Sequence, residues 1–402
     1  MIATLLLTTL AVMYLAGSVS PTDHMDDFPI AVVNQDAGSP ADSSEPVGDQ
    51  IVAGLRENLD ASEFDLRELT LSEAREELRR GDLYGAIVLP EDLSAGVAAL
   101  AQASVSDGEV QRPVVRVLTN PLANTGSAAI VQNVADAAMS DMSETIGSQL
   151  VTSATEGAAA KGTTISGAAK VALAEPLTLS VEPFEDVPDG TGNGISAFYY
   201  ALLLTLAGFT GSLVVSSFVD AHLGHSPQEV GPIYRLGPAH PLSRFGTLLY
   251  KWAIMAGLAI VVSAAYLGVG SVVGMPIDHP WTLWLFGTLA IAAVAVVAQA
   301  VLAIFGNLGM VVNLLIFIVL AIPSAGATVA LEQTPVFFQV LSAFEPMRQI
   351  YLGARSILYF DAQWDAGLGT AIGATLLAMA AGLLAGCLVT VLYDRRGLTR
   401  RT

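Results

Sequence analysis

The sequence is short of cysteine, of positive charge and of histidine, and each shortage removes a class of function. The single cysteine, Cys387, stands in an apolar run, so no intrachain disulfide can form and an exported segment must fold on its own core. Lysine and arginine number 18 against 37 acidic residues, which leaves no basic surface for a phosphate backbone and argues against nucleic acid as a partner. The histidines number 5, and no cysteine or carboxylate completes a ligand set around His222-x-x-His225. His24, among Asp23, Asp26 and Asp27, gathers only a loose acidic cluster. No G-x-x-x-x-G-K-[ST] phosphate loop occurs; the nearest phrase, Gly157 to Thr163, has the wrong spacing, so the chain is not expected to hydrolyse ATP by itself. Nor is there a G-x-S-x-G elbow or another grouping of nucleophile, base and acid. The residues give no catalytic set, no cofactor site and no metal site.

Apolar residues make up 53% of the chain and charged residues 14%, a balance that belongs to a membrane protein. The charge is uneven. Residues 20–194 hold 29 acidic and 9 basic residues, a balance of −20, whereas the remainder holds 8 and 9, a balance of +1. The acidity therefore belongs to one water-soluble insert. Before it, residues 1–19 carry no charge and read as an uncleaved first span. The rival is a cleaved signal peptide, against which stand the missing basic n-region and the length of the apolar run. The missing basic flank also points to a start upstream of Met1. After the insert, five apolar runs follow, near 195–219, 251–274, 282–305, 308–331 and 367–393, and a basic tail occupies 394–402. The expected fold class is a polytopic α-helical membrane protein of six transmembrane helices, with a large mixed α/β extracytoplasmic domain between the first and second. The high glycine and alanine content of the spans suits close helix packing in lipid.

Basic residues set the expected orientation. Arg235, Arg244 and Lys251 lie in or beside the loop after the second span, and Arg395, Arg396, Arg400 and Arg401 lie in the tail. Six spans place loop and tail on one face, read as cytoplasmic, in the plasma membrane. The insert then lies outside.

Within the insert, Phe28 to Asn34 reads as a strand ending in a turn, Asn34 to Gly38. Val47, Ile51, Leu55 and Leu59 share one helical face. Phe64 to Leu71 alternates like a strand; Ser72 is the expected N-cap of a helix over 73–80, which Gly81 ends. Tyr84 to Leu89 and Pro113 to Leu118 read as strands around a helix over 91–103. The order β-α-β-α-β-α-β predicts a mixed or parallel sheet with crossover helices. A long small-residue helix or helix pair over 122–174 and a last strand over 177–184 complete the insert.

The polar residues strongest within spans four and five, or at their junction, are Gln299, Asn307 and Asn313, fit either for interhelical hydrogen bonds or for a pathway. No carboxylate falls inside the expected spans; Asp220, Asp278 and Asp394 fall at their edges. Pro323 interrupts the fifth span and predicts a break there. Between spans five and six, Pro335 to Phe360 interleaves aromatic and aliphatic residues with Glu345, Arg348 and Arg355, as expected of helices lying at the outer membrane interface or of an outer gate for an amphipathic substrate.

Two phrases carry a family resemblance. Pro29-Ile30-Ala31-Val32-Val33-Asn34-Gln35-Asp36-Ala37-Gly38 and Gly81-Asp82-Leu83-Tyr84-Gly85-Ala86-Ile87-Val88-Leu89-Pro90-Glu91-Asp92-Leu93-Ser94 resemble the paired signature of the YhgE/Pip proteins and related type-2 ABC exporter permeases. Leu93 stands where phenylalanine is commoner. The layout, one span, a large external domain and five spans, is also similar over the whole chain. The resemblance implies a permease half that dimerises, as a homo- or heterodimer, and works with a separate cytoplasmic ABC ATPase that carries ATP and magnesium. It further implies that the loop 220–250 meets that ATPase, with Arg235, Pro241, Ser243 and Arg244 as the coupling residues. Relatives of this kind usually have a cytoplasmic segment before the first span, which this sequence does not show. Some relatives act as phage receptors or as membrane parts of secretion machinery, so a surface receptor or secretion-apparatus scaffold whose external domain binds a protein partner is the alternative.

Overall fold

The computed structural model describes residues 4, 8, 11, 12, 15, 25–39, 45–103, 112–160, 164–238 and 240–398, the side chains of residues 168, 229 and 230 apart. All but five positions of the expected first span, 1–19, lie outside the described residues. The chain divides into two compact units, Thr22–Val187 and a second made of Met1–Pro21 with Pro188–Thr402.

The first unit is built on strand β1 (Phe28–Asn34), in which every residue but the last is buried. A strand buried on both faces belongs in the middle of a sheet. β1 lies between β2 (Phe64–Glu68) and β3 (Gly85–Leu89), parallel to both; β3 then pairs antiparallel with β4 (Val114–Thr119), which pairs parallel with β5 (Thr178–Pro183). The sheet is mixed, in the order β2-β1-β3-β4-β5. Helices α1 (Val47–Asn58) and α2 (Leu71–Arg80) both pack on β1, and α3 (Leu93–Ala103) packs on α1. Ala31 and Val33 of β1 meet Ala74 and Leu78 of α2 in one core. The cap of α2 differs from expectation. It is Thr70, not Ser72: Thr70 and Glu73 form a reciprocal capping box that satisfies one free N–H at each of their positions. Helix α4 (Ser127–Ala160) runs 34 residues, and α5 (Gly167–Ala174) packs on it.

The two signature phrases meet in this unit around the Asp36 carboxylate. It accepts from the N–H groups of Gly38, Gly48 and Ser94 and from the Ser94 hydroxyl, at the starts of α1 and α3. A Cβ at position 48 would lie 2.4 Å from Asn34 Oδ1, so only glycine admits the approach.

Among the described residues of the second unit, four helices are long and apolar enough to cross a membrane: α6 (Ile195–His222), α7 (Arg244–Val272), α8 (Pro280–Phe305) and the segment Trp364–Arg395, which contains α12 (Gly369–Arg395). The count of six is not reached among the described residues. The segment expected to span at 308–331 forms helix α9 (Leu308–Ser324) with a π-helical turn, Leu315–Val319, inside it. Its 17 residues rise only about 25 Å at 1.5 Å each, short of a hydrocarbon core about 30 Å thick. Pro323 sits in its last turn, where the break was expected. Helix α8 is the hub of the bundle and packs against α6, α7, α9 and α12.

The two helices that follow correct a second expectation. Helix α10 (Val336–Ser342) exposes Val336, Phe337 and Val340, as an interfacial helix should. Helix α11 (Pro346–Tyr359) does not lie at a surface. It packs against α6, α8 and α12, with Met347, Ile350, Tyr351 and Ala354 buried on one side and Gln349, Arg355 and Ser356 also buried. Gly353 permits the contact with α8, since a Cβ there would fall 2.2 Å from the Phe286 ring. Tyr359 at its end receives the Ala197 N–H at 2.9 Å, which fastens α11 to the start of α6.

Candidate functional site

The loop between α6 and α7 contains a hairpin of β6 (Gln228–Val230) and β7 (Ile233–Arg235). Arg235 and Pro241 stand exposed in this loop. Helix α7 starts immediately after it, because Ser243 is a good N-cap: its hydroxyl accepts from Gly246 N–H at 3.0 Å. The Asp394 carboxylate, near the end of α12, accepts the next two free donors, Arg244 N–H at 2.8 Å and Phe245 N–H at 3.0 Å. The Arg244 side chain reaches back to the Leu398 carbonyl and lies over the Tyr393 ring. Loop end and C-terminal tail are thus tied together by both residues of one helix start.

The early start of α7 has a chemical result. Lys251, expected at a span edge, lies two turns inside the helix with its side chain 5% exposed. Its Nζ is 2.9 Å from Asp220 Oδ1, in the last turns of α6. The pair joins two spanning helices, and ionisable groups in such positions mark functional sites in membrane proteins. Beside it, Gln299 of α8 is buried and neither its amide oxygen nor its amide nitrogen has a hydrogen-bond partner. The space it shares with Arg244, Thr247, Lys251 and Thr390 measures about 10 Å³, room for about one water. Arg244 and Lys251 also line a larger cleft of about 800 Å³, with Ser216, Asp220 and Asn307 among its polar walls.

The structure therefore brings together Ser243 and Arg244, expected in the coupling loop, and Gln299 and Asn307, expected on a pathway. Asp220 and Lys251 complete the group. Sequence reasoning missed them because the span limits came from hydropathy alone; the N-cap phrase Pro241-Leu242-Ser243 was the available signal that α7 begins earlier.

The remaining expected residues lie elsewhere in the second unit. Asn313 donates to the Ala298 carbonyl at 2.9 Å, an interhelical bond between α9 and α8. Arg348 donates to the Ala325 carbonyl at 2.9 Å, which ties α11 to the broken end of α9 two residues past Pro323. Glu345 caps α11: one carboxylate oxygen accepts from Met347 N–H at 2.6 Å and Arg348 N–H at 3.2 Å, and the other has no partner. Burial pushes the Glu345 carboxyl up to about 8, against the lowering effect of those two N–H groups. Close by, Phe317, Phe344, Ile350 and residues of α8 and α12 line an apolar cavity of about 180 Å³, into whose wall Gln349 and Thr375 place buried oxygens without partners. Among the described residues no group of three or more His, Cys, Asp or Glu side chains is placed to hold a metal ion.

A family model described as "Protein of unknown function (DUF3533)" matches residues 1–379. No curated protein matches the chain.

Proposed function

The chain belongs to the DUF3533 family, and from that premise we propose that it is the membrane permease subunit of a type-2 ABC exporter. In this reading two permease subunits, alike or different, form the working dimer in the plasma membrane. A separate cytoplasmic ATPase carries ATP and magnesium and engages the loop between α6 and α7. A small or amphipathic molecule leaves the cell toward the side of the α/β unit.

The observation that carries the reading is the polar group at one end of the bundle. Arg244 and Asp394 link the loop to the tail, and Lys251 links the same helix to Asp220. Displacement of the loop therefore acts on a charged cleft between spanning helices. The paired phrases that resemble the YhgE/Pip proteins support it as well. The test is export, or tolerance to an amphipathic drug, by cells with and without the P-loop ATPase that purifies with the chain. Export that persists undiminished after every such ATPase is removed overturns the proposal.

A groove of about 510 Å³ in the α/β unit, between α1, α3 and α4, favours a second reading. There the chain is a surface receptor or secretion-apparatus scaffold and the groove holds a protein segment. Recovery from membranes separates the two: a stoichiometric ATPase supports the exporter, an external or secretion protein the scaffold.

A further inference from the structure

The cleft at the end of α6 and α7 combines a fixed charge, buried hydrogen-bond donors and an apolar wall. Its acidic and strongly basic walls among the described residues are Asp220, Arg244 and Lys251, which leave one positive charge in excess. Asp394 is not among the lining residues, and its two oxygens accept from the N–H groups of Arg244 and Phe245. A single negative charge balances such a site, whereas a polyphosphate would bring charge that nothing here answers.

Two further observations point to a ligand. Ser216 and Gln299 are each more than nine-tenths buried and have no partner for their polar side-chain atoms. Ser216 lines the cleft, and Gln299 lines the small space that shares Arg244 and Lys251 with it. A buried polar group without a partner is unfavourable, so each is stabilised by an oxygen that accepts its proton. Part of the lining is apolar: it includes Leu213 and Leu302, and Phe305 and Met310, which are more than half exposed. A chain attached to the bound group would lie along these residues into the surrounding lipid. Basic pockets between transmembrane helices bind anionic headgroups on the same terms.

We propose that this cleft binds the headgroup of a membrane amphipath carrying one negative charge, its oxygens held by Lys251, Arg244 and the Ser216 hydroxyl and its tail against Phe305 and Met310. As cargo, this ligand rests on the exporter reading; its binding does not.

The test uses the full-length protein in neutral detergent and a photoreactive phosphatidylglycerol with a diazirine in one acyl chain. Labelling of peptides spanning 213–226 and 302–310 is expected, displaced by phosphatidylglycerol at about a tenth of the concentration required of phosphatidylcholine with the same chains. Glycerol phosphate, the headgroup without the tail, is expected to displace it poorly. Asn307 lines the cleft, is exposed, and takes no part in the ion pair. Asn307→Asp should weaken phosphatidylglycerol binding about threefold to tenfold and Asn307→Lys should tighten it by a similar factor, with unchanged thermal melts. Equal competition by phosphatidylcholine, or equal affinity of the two variants, overturns the proposal. Glycerol phosphate as effective as the lipid also overturns it, by showing an anion site with no use for a tail. Export that persists undiminished without any ATPase, with lipid binding intact, counts against the exporter and leaves this site standing.

Discussion

Asp36 and Ser94 stand 58 positions apart and share two hydrogen bonds: the Asp36 carboxylate accepts from the Ser94 N–H at 3.0 Å and from its hydroxyl at 2.5 Å. The Ser94 hydroxyl in turn accepts from Val47 N–H at 2.8 Å, and Asp36 accepts from Gly48 N–H at 2.8 Å. One carboxylate therefore serves the starts of two helices, where the exposed N–H groups and the helix dipole both favour a negative charge. That is the physical content of the paired phrases: the aspartate of the first and the serine of the second are two halves of one cap.

Asp36→Ala removes four accepted bonds and strands donors at both helix starts. We expect the α/β unit to lose about 2–4 kcal/mol. Ser94→Ala, which strands only Val47 N–H, should cost about 1–2 kcal/mol. Urea titration of the full-length protein, followed by limited proteolysis of residues 25–187, measures both. Equal costs would show that Asp36 does not act on α1 and α3 together.

Lys251→Met leaves Asp220 charged and largely buried. Breaking a buried pair costs about 3–5 kcal/mol, against little or none when both partners become apolar. The single variant should therefore melt well below the Lys251→Met, Asp220→Leu double variant, measured in detergent. The double variant should recover the fold and, on the exporter proposal, lose export, which separates the pair's part in stability from its part in function.

Glu345 gives the protein a pH dependence opposite to that of most carboxylates. Its folded value of about 8 lies above the ordinary value near 4.3. Between roughly pH 4 and pH 8 the folded chain holds a proton that the unfolded chain has released, so stability falls as pH rises through that window and is level above it. Glu345→Gln keeps the acceptor for Met347 and Arg348 N–H and cannot ionise. Melting temperatures compared over about pH 5 to pH 9 should show the wild type losing ground to the variant with rising pH. Parallel curves would mean that Glu345 is ionised throughout.

Asp394→Ala should release the first turn of α7, at a cost of about 1–2 kcal/mol for the lost cap. Amide exchange at residues 244–247 should quicken about tenfold or more, while exchange in the middle of α8 stays unchanged.

Much of the fold was legible where a residue's surroundings follow from its neighbours in the chain. The strand Phe28–Asn34 shows in its β-rich run and the turn that ends it, the helix Val47–Asn58 in its periodicity, and the runs near 195–219 and 282–305 agree with α6 and α8 to within a few residues. Less was legible where a distant segment decides. Spacing tells which residues of α11 share a face, but not that α6, α8 and α12 cover both faces. Charge at a hydropathy boundary gives no sign that Asp220 and Lys251 face each other, since α6 and α7 meet only in the folded bundle. Arg244, Gln299 and Asn307 were visible as unusual residues, but not that Asn307 shares one cleft with Arg244, nor that Gln299 shares the small space beside it.

The ion pair between α6 and α7 also restricts how these helices can move. A slip of one helical turn, about 5.4 Å, would draw the carboxylate from the ammonium in a poorly polarisable interior and cost several kcal/mol. Rotation about an axis through the pair keeps the 2.9 Å separation and carries no such penalty. Asp220 and Lys251 thus form a fulcrum near one end of the two helices. Tilting about it leaves the near end almost still and carries the far end of each helix through the widest arc.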